Sequence, residues 1–235
     1  MQTPSSPNPT RLYQQVAERI LELIQNGEFK AGQSLPSERT LAERLEVSRA
    51  TIREAIIALE IGNRVEVRGG SGIYVKPAAQ AMPIHETGPG PFELLRARHV
   101  FEGEVAAAAA ESAKPADIDR LHESLNELAR TLDDRAANDL ADRAFHFLLA
   151  EATGNSAMSQ VVSLLWDQGR GEAWSQMDAH FHTSELRHVL MEDHRKIFLA
   201  IVERSPRAAR KAMRDHIDRI QKEFARSWRA LNTRS

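Results

Sequence analysis

Residues 34–60 read SLPSERTLAERLEVSRATIREAIIALE, and this stretch decides the fold of the N-terminal part. Ser37 and Ser48 each stand before a run with helical spacing and suit N-cap positions, because their hydroxyls can accept from the free N–H groups of a first turn. Two short helices with only a few residues between them make a helix-turn-helix. In the second helix Ile52, Ala55, Ile56 and Leu59 follow i, i+3, i+4, i+7 and face inward, which leaves Arg49 and Arg53 together on a flanking face. Two guanidiniums one turn apart at the start of a second helix suit major-groove reading, since each can bond guanine O6 and N7 in bidentate fashion. The plainer alternative is a solvated face shared with Glu46 and Glu54. The order of elements around the stretch argues against that alternative.

Upstream, Leu12, Val16, Ile20, Leu23 and Ile24 recur at helical spacing, and Gly27 stands where a helix from about Arg11 ends. Downstream, Val65 and Val67, a Gly69-Gly70-Ser71-Gly72 turn, then Ile73 and Val75 read as an alternating strand, a glycine turn and a second strand. Three helices followed by a glycine-tipped hairpin make a winged helix-turn-helix over residues 11–76, with residues 1–10 a flexible lead-in. Between Lys76 and Pro91 the chain holds Pro77, Pro83, Pro89, Gly88 and Gly90, a composition that suits a linker over 77–91.

From Phe92 onward no strand pattern competes with helix. Breaks near Lys114-Pro115, Ala136–Asn138, Gly154-Asn155, Met177–Thr183 and Ser205-Pro206 divide residues 92–230 into six helices. The expected fold is therefore mostly α: a winged helix-turn-helix and an all-α, six-helix antiparallel bundle.

A chain of 235 residues suits two domains. It has 42% hydrophobic and 27% charged residues, the balance of a globular protein. No apolar run approaches the roughly 20 residues that span a bilayer, and MQTPSSPNPT lacks the apolar core of a secretory signal, so a cytoplasmic location is expected. The net charge of −2 leaves room for a local basic surface but not for a nonspecific nucleic-acid coat. With no cysteine in the chain, any metal must be held by histidine and carboxylate.

Such a set is present in the helical half. Asp142 and His146 are four apart, one above the other on a helix. They share a face with Leu149 and Thr153; His194 shares one with Ile197 and Ile201; His216 shares one with Met213, Ile217 and Ile220. Four candidate ligands thus occupy core-facing positions of three helices, where burial without partners is costly and closure on one divalent ion per chain would satisfy them. The alternative is four separately hydrogen-bonded core residues. Nitrogen and oxygen ligands leave zinc, nickel and manganese open, with zinc preferred. His85, His99, His122, His182 and His188 read as linker, surface or packing residues.

RLYQQVAERILELIQNGEFKAGQSLPSERTLAERLEVSRATIREAIIALE followed by VEVRGGSGIYV resembles the GntR family of bacterial repressors over residues 11–75. The resemblance implies operator contacts from Arg39, Ser48, Arg49 and Arg53, with Gly69 and Gly70 at the wing tip. Asn63 stands where the family commonly has glycine, and asparagine tolerates the left-handed conformation that such a turn asks for. LADRAFHFLLAEATGN and EDHRKIFLAIVERSPRAARKAMRDHI resemble the ligand-binding FCD domain of the FadR subgroup, from about Phe92 to Phe224. In metal-binding members of that subgroup the ligands match Asp142, His146, His194 and His216, and a carboxylate effector can coordinate the metal.

By the same resemblance Arg98 and Glu102 are effector residues, whereas their spacing alone also fits a simple i, i+4 salt bridge. GPFELLRARHVFEGEVAA and LLWDQGRGEAW are most similar to regulators of hexuronate use, the UxuR and ExuR type. That similarity implies a sugar-acid effector and adds Trp166, Arg170, Trp174 and His180 to the effector set; core packing explains the tryptophans equally well. The expected protein is a homodimeric repressor of double-stranded operator DNA, not an enzyme and not membrane-bound. A small carboxylate would control its affinity by acting through the linker near Gly88 to Pro91. Rival readings are the same fold answering to pyruvate, lactate, glycolate or metal alone, and a metal-dependent hydrolase.

Overall fold

The computed structural model describes residues 12–62, 64–68, 71–77, 89, 91–168 and 183–231, with side chains to 223. It divides into two compact units, one built on the chain up to Gly90 and the other spanning Pro91–Ser227.

The first unit holds α1 (Leu12–Gln25), α2 (Glu38–Arg44), α3 (Arg49–Ile61), β1 (Val65–Arg68) and β2 (Gly72–Val75). Helix α1 stops where Gly27 takes a positive φ of 79° and the Glu28 N–H donates to the Leu23 carbonyl at 3.0 Å, a left-handed C-cap suited to glycine. Both serine caps form: the Thr40 N–H donates to Ser37 Oγ at 3.2 Å, and the Thr51 N–H to Ser48 Oγ at 3.1 Å. The turn between α2 and α3 is made by Glu46 at φ 55°, a conformation that disfavours side chains and left no mark in the sequence pattern. Ile52, Ala55, Ile56 and Leu59 are fully buried, joined by Ala17, Ile20, Leu41 and Val65. Glu54, read as one candidate for a solvated face, is buried instead.

The hairpin pairs Val65 with Val75 at its root and Arg68 with Gly72 near its tip. A third segment joins it, which the periodicity did not show. Residues 32–35 run along β2, with the Leu35 N–H donating to the Ile73 carbonyl at 2.7 Å and the Val75 N–H to the Gln33 carbonyl at 2.9 Å. The segment is too short to alternate, so only its backbone bonds reveal it. Asn63, Gly69 and Gly70 lie outside the described residues.

The second unit contains, among the described residues, α4 (Pro91–Ser112), α5 (Pro115–Arg130), α6 (Arg135–Ala152), α7 (Ser156–Gln168), α8 (Ser184–Val202) and α9 (Pro206–Leu231). Helix α4 packs against α6, α7 and α8, and α5 against α6 and α8. One expected break is displaced. The α5–α6 turn occupies residues 131–134, not Ala136–Asn138, because Asp134 caps α6 by accepting from the Ala137 N–H at 3.1 Å. Asn138 is inside the helix and buried; its amide donates to the Leu128 carbonyl at 3.1 Å and to Thr131 Oγ1 at 3.2 Å. It satisfies the open end of α5 from across the turn, a tertiary role that its local reading as a helix breaker misses. Among the described residues no helix is long and apolar enough to cross a membrane.

Candidate functional site

The core of the helical unit holds polar groups where apolar ones would be ordinary. Asp142 and His146 project from α6, His194 from α8 and His216 from α9, and one ligand atom from each lies within 4.8 Å of the others. The three histidines are buried to 2% exposure or less. Their rings crowd together, with centroids 4.5 Å apart for His194 and His216, 5.4 Å for His146 and His216, and 5.5 Å for His146 and His194. Phe145 closes one side, edge-on to His194 at 5.0 Å.

Hydrogen bonds around the rim determine which nitrogens face inward. His194 Nδ1 lies 2.8 Å from the Leu190 carbonyl, which can only accept, so Nδ1 carries the proton. His146 Nδ1 is bonded to a carboxylate oxygen of Glu102, and Asp142 and Glu102 are both held ionised, so Nδ1 is again the donor. Both Nε2 atoms therefore present bare lone pairs to the interior when the rings are neutral. His194 Nε2 stands 2.8 Å from Asp142 Oδ1, yet neither atom has an aligned hydrogen bond. Two lone pairs that close repel unless a proton or a metal ion lies between them. His216 has no hydrogen-bond partner for either ring nitrogen.

Charge points the same way. Burial by itself raises the pKa of Asp142, but the histidine cluster, led by His194, holds the carboxyl well below the usual carboxylate range. Burial depresses His216 well below the ordinary histidine value, so it is neutral. One carboxylate with imidazole nitrogens converging on it fits a divalent metal, and Glu102 and the Leu190 carbonyl stand where they would orient metal-ligating histidines.

Glu102 is fully enclosed. Burial pushes its carboxyl up, but Arg98 and His146 outweigh that and bring it down to about 2. Arg98 Nε donates to Glu102 Oε1 at 2.6 Å, and the guanidinium carbon lies 3.9 Å from the ring centre of Trp166. Arg98 Nη2 and Trp166 Nε1 are buried donors with no partner. The i, i+4 pair forms the salt bridge that its spacing allows, bonds His146 through Glu102, and leaves one guanidinium nitrogen to spare. A cavity of about 10 Å³, room for about one water, adjoins Asp142 and His194. Arg170, Trp174 and His180 lie outside the described residues, as do His85 and His182. His122 stacks on Phe198, His99 approaches Asp218 and His188 bonds the Ser184 carbonyl, so these three are packing or surface residues.

On the winged unit Arg39, Ser48 and Arg49 are exposed at the starts of α2 and α3. Arg39 lies 3.9 Å from Glu43, and both side chains are exposed. Arg53 differs: its Nε and Nη2 donate to the two oxygens of Glu38 at 3.1 and 2.8 Å, and both side chains are largely shielded. The i+15 spacing of that pair is invisible to helical periodicity. Beyond α3, Arg68 lies over the Tyr74 ring at 4.5 Å, and Tyr74 and Ser71 share a 2.6 Å hydrogen bond beside the wing turn.

A winged helix-turn-helix joined to a helical unit with a polar core defines a DNA-binding transcription regulator. Residues 12–75 match the bacterial regulatory proteins of the gntR family, and residues 93–219 match the FCD domain. The chain belongs to the GntR family of transcription regulators and carries an FCD domain. It is 34% identical to the Uxu operon regulator of Haemophilus influenzae over 90% of this chain and 81% of that protein. It is 36% identical to the Exu regulon transcriptional regulator of Escherichia coli K12 over 89% and 83%. A solved Listeria monocytogenes protein, Lar, shares the fold at 22% identity and a TM-score of 0.52, covering 94% of this chain and 99% of its own. These relatives are regulators rather than enzymes, which removes the hydrolase reading.

Proposed function

We propose that the chain is a homodimeric repressor whose operator affinity is set by a sugar acid of hexuronate metabolism, bound beside a metal in the helical unit. The observation that carries this reading is the convergence of unpartnered buried groups. Asp142, His146, His194 and His216 surround one point, and the spare donors Arg98 Nη2 and Trp166 Nε1 lie beside it. One divalent ion per chain, zinc before nickel or manganese, would act there as a Lewis acid that holds an effector carboxylate. Arg98 would grip acceptor oxygens of the effector, Trp166 would offer a flat face and one N–H to a sugar ring, and Glu102 would keep Arg98 and His146 in place. The names of the Uxu and Exu relatives favour a hexuronate over other small acids.

Arg39, Ser48, Arg49 and Arg53 are the proposed operator contacts, completed by the wing at Gly69 and Gly70. Val100 on α4 and Leu164 on α7 are apolar and 61% and 57% exposed, side chains that a second copy would cover. An effector changes occupancy only by binding the two DNA-affinity states unequally.

The test is fluorescence anisotropy of the full chain on DNA from its own upstream region, at fixed salt. Fructuronate, tagaturonate, glucuronate and galacturonate are added in turn. A shift of about tenfold or more with one of them, lost after chelation or in His194→Ala, is expected. DNA binding that no sugar acid alters, with a response to pyruvate, lactate or glycolate instead, would replace the hexuronate by another acid.

A further inference from the structure

The wing is tied to α3 by a carboxylate that the sequence pattern did not single out. In an antiparallel pair, residues alternate between bonding each other and turning their backbone groups outward. Ile73 and Val75 spend theirs on the far side of β2, where the Leu35 N–H donates to the Ile73 carbonyl at 2.7 Å and the Gly32 N–H to the Val75 carbonyl at 2.8 Å. Their partners Val67 and Val65 therefore turn their own backbone groups away from β2, along the outer edge of β1. At Val67 that edge is met by a side chain of α3: the Val67 N–H donates to Glu60 Oε1 at 3.0 Å.

The place of this bond matters. Just before the strand, the Arg64 N–H already donates to the Leu59 carbonyl at 2.8 Å. Glu60 supplies a second tie to the same helix further out along the hairpin, and two points fix a direction where one would leave a pivot. Val67 is followed by Arg68, the last residue of β1, whose carbonyl accepts from the Ser71 N–H at 3.1 Å across the wing turn. Along α3, Glu60 stands about 16 Å from Arg49 at 1.5 Å per residue, so one helix carries candidate major-groove residues at its start and holds the wing at its end. A half-buried carboxylate is a costly filler for that position. Burial raises its pKa and Glu66 adds to the rise, while the Val67 N–H and Lys76 oppose it. An apolar side chain would avoid the cost and forgo the bond.

We propose that Glu60 is a positioning residue for operator recognition: by holding the Val67 N–H it sets the angle between the wing and α3, so that the wing meets the minor groove beside the half-site that α3 reads. This role rests on the wing contact proposed with Gly69 and Gly70. Glu60 itself touches no DNA. Without its acceptor the wing pivots about the bond between Arg64 and Leu59 and its contact is averaged away, while Arg49 and Arg53 keep their place on α3.

Dimethyl sulfate footprinting of the full-length protein on its own upstream DNA tests the proposal, because the reagent methylates guanine N7 in the major groove and adenine N3 in the minor groove. Anisotropy on the same DNA gives the affinity. The native chain should protect both positions. Glu60→Leu should keep the guanine protection, lose the flanking adenine protection and bind about tenfold more weakly, roughly the worth of one hydrogen bond to a charged group. Glu60→Gln, which retains an amide oxygen for the Val67 N–H, should restore both. Val67→Pro removes the donor at an outward-facing edge position that proline tolerates, and should repeat the Glu60→Leu pattern with Glu60 in place. The proposal is overturned if Glu60→Leu and Val67→Pro, at saturation, keep the adenine protection whatever their melting temperatures, since the bond would then only stabilise the fold. It is also overturned if Glu60→Leu loses guanine and adenine protection together, or if Glu60→Gln loses as much as Glu60→Leu. A native chain that protects no adenine N3 lacks the wing contact, and this role falls with it; indifference of the variants alone leaves that contact standing. Should Glu60→Leu fail to fold, Val67→Pro and Glu60→Gln decide.

Discussion

Replacing His216 by leucine should stabilise the metal-free protein and remove most of the stabilisation that zinc provides. In the metal-free protein both ring nitrogens of His216 are buried without partners, and each such group costs about 1–3 kcal/mol. Leucine removes both and keeps most of the volume, at a packing cost of up to about 1.5 kcal/mol. The difference, about 0.5–6 kcal/mol in favour of leucine, should raise the melting temperature of the helical unit by at least about 2 °C. Zinc at a hundredfold excess over its dissociation constant should add about 2.7 kcal/mol to the native protein. Removing one of four ligands with a hundredfold loss of affinity cuts that gain to about 0.4 kcal/mol at the same zinc concentration. Calorimetry of chelated and zinc-loaded samples, with metal content measured on each, reads both effects. If His216→Leu melts no higher than the native chain when metal-free, and gains as much from zinc, four independently satisfied core residues explain the cluster better.

Four further outcomes are expected. Glu102→Gln removes the carboxylate that orients His146 and should weaken metal affinity about 10- to 100-fold, measured by competition with a chromogenic chelator. Glu38→Gln releases Arg53 from its bidentate partner; nonspecific DNA binding should tighten and discrimination against scrambled DNA should fall, with the salt slope steeper by about one. Gly103→Val should destabilise the helical unit by about 1–3 kcal/mol in denaturant melts, because even a Cβ there would meet Arg214 Nε at 2.9 Å and Cγ at 3.0 Å. Glu60 has its pKa raised, chiefly by burial, against the Val67 N–H that favours its ionised form. A raised carboxyl contributes stability below its unfolded pKa that is lost as pH rises through the folded value. The melting temperature of the winged unit should therefore fall less between pH 4 and pH 7 in Glu60→Gln than in the native chain, followed by circular dichroism.

The amino-acid sequence by itself determined the elements and their order. Serine caps, glycine stops and apolar spacing are local signals, and they sufficed for α1 to α3, the two strands and the helices of the second unit. Phase along α6, α8 and α9 also placed Asp142, His146, His194 and His216 toward a core, because a helix fixes which side chains share a face. Interactions between distant segments were decided only by the tertiary structure. The addition of residues 32–35 to β2 rests on backbone bonds that no side-chain pattern records. Asn138 looks like a breaker until α5 is packed beside it, where its amide meets the open carbonyl of Leu128. Helical spacing pairs Arg98 with Glu102, but only the packing of α4 on α6 brings Glu102 to His146. A groove lined by Arg64 likewise joins the end of α1 to the end of β2 across some fifty residues of chain, a distance over which periodicity carries no information and burial carries all of it.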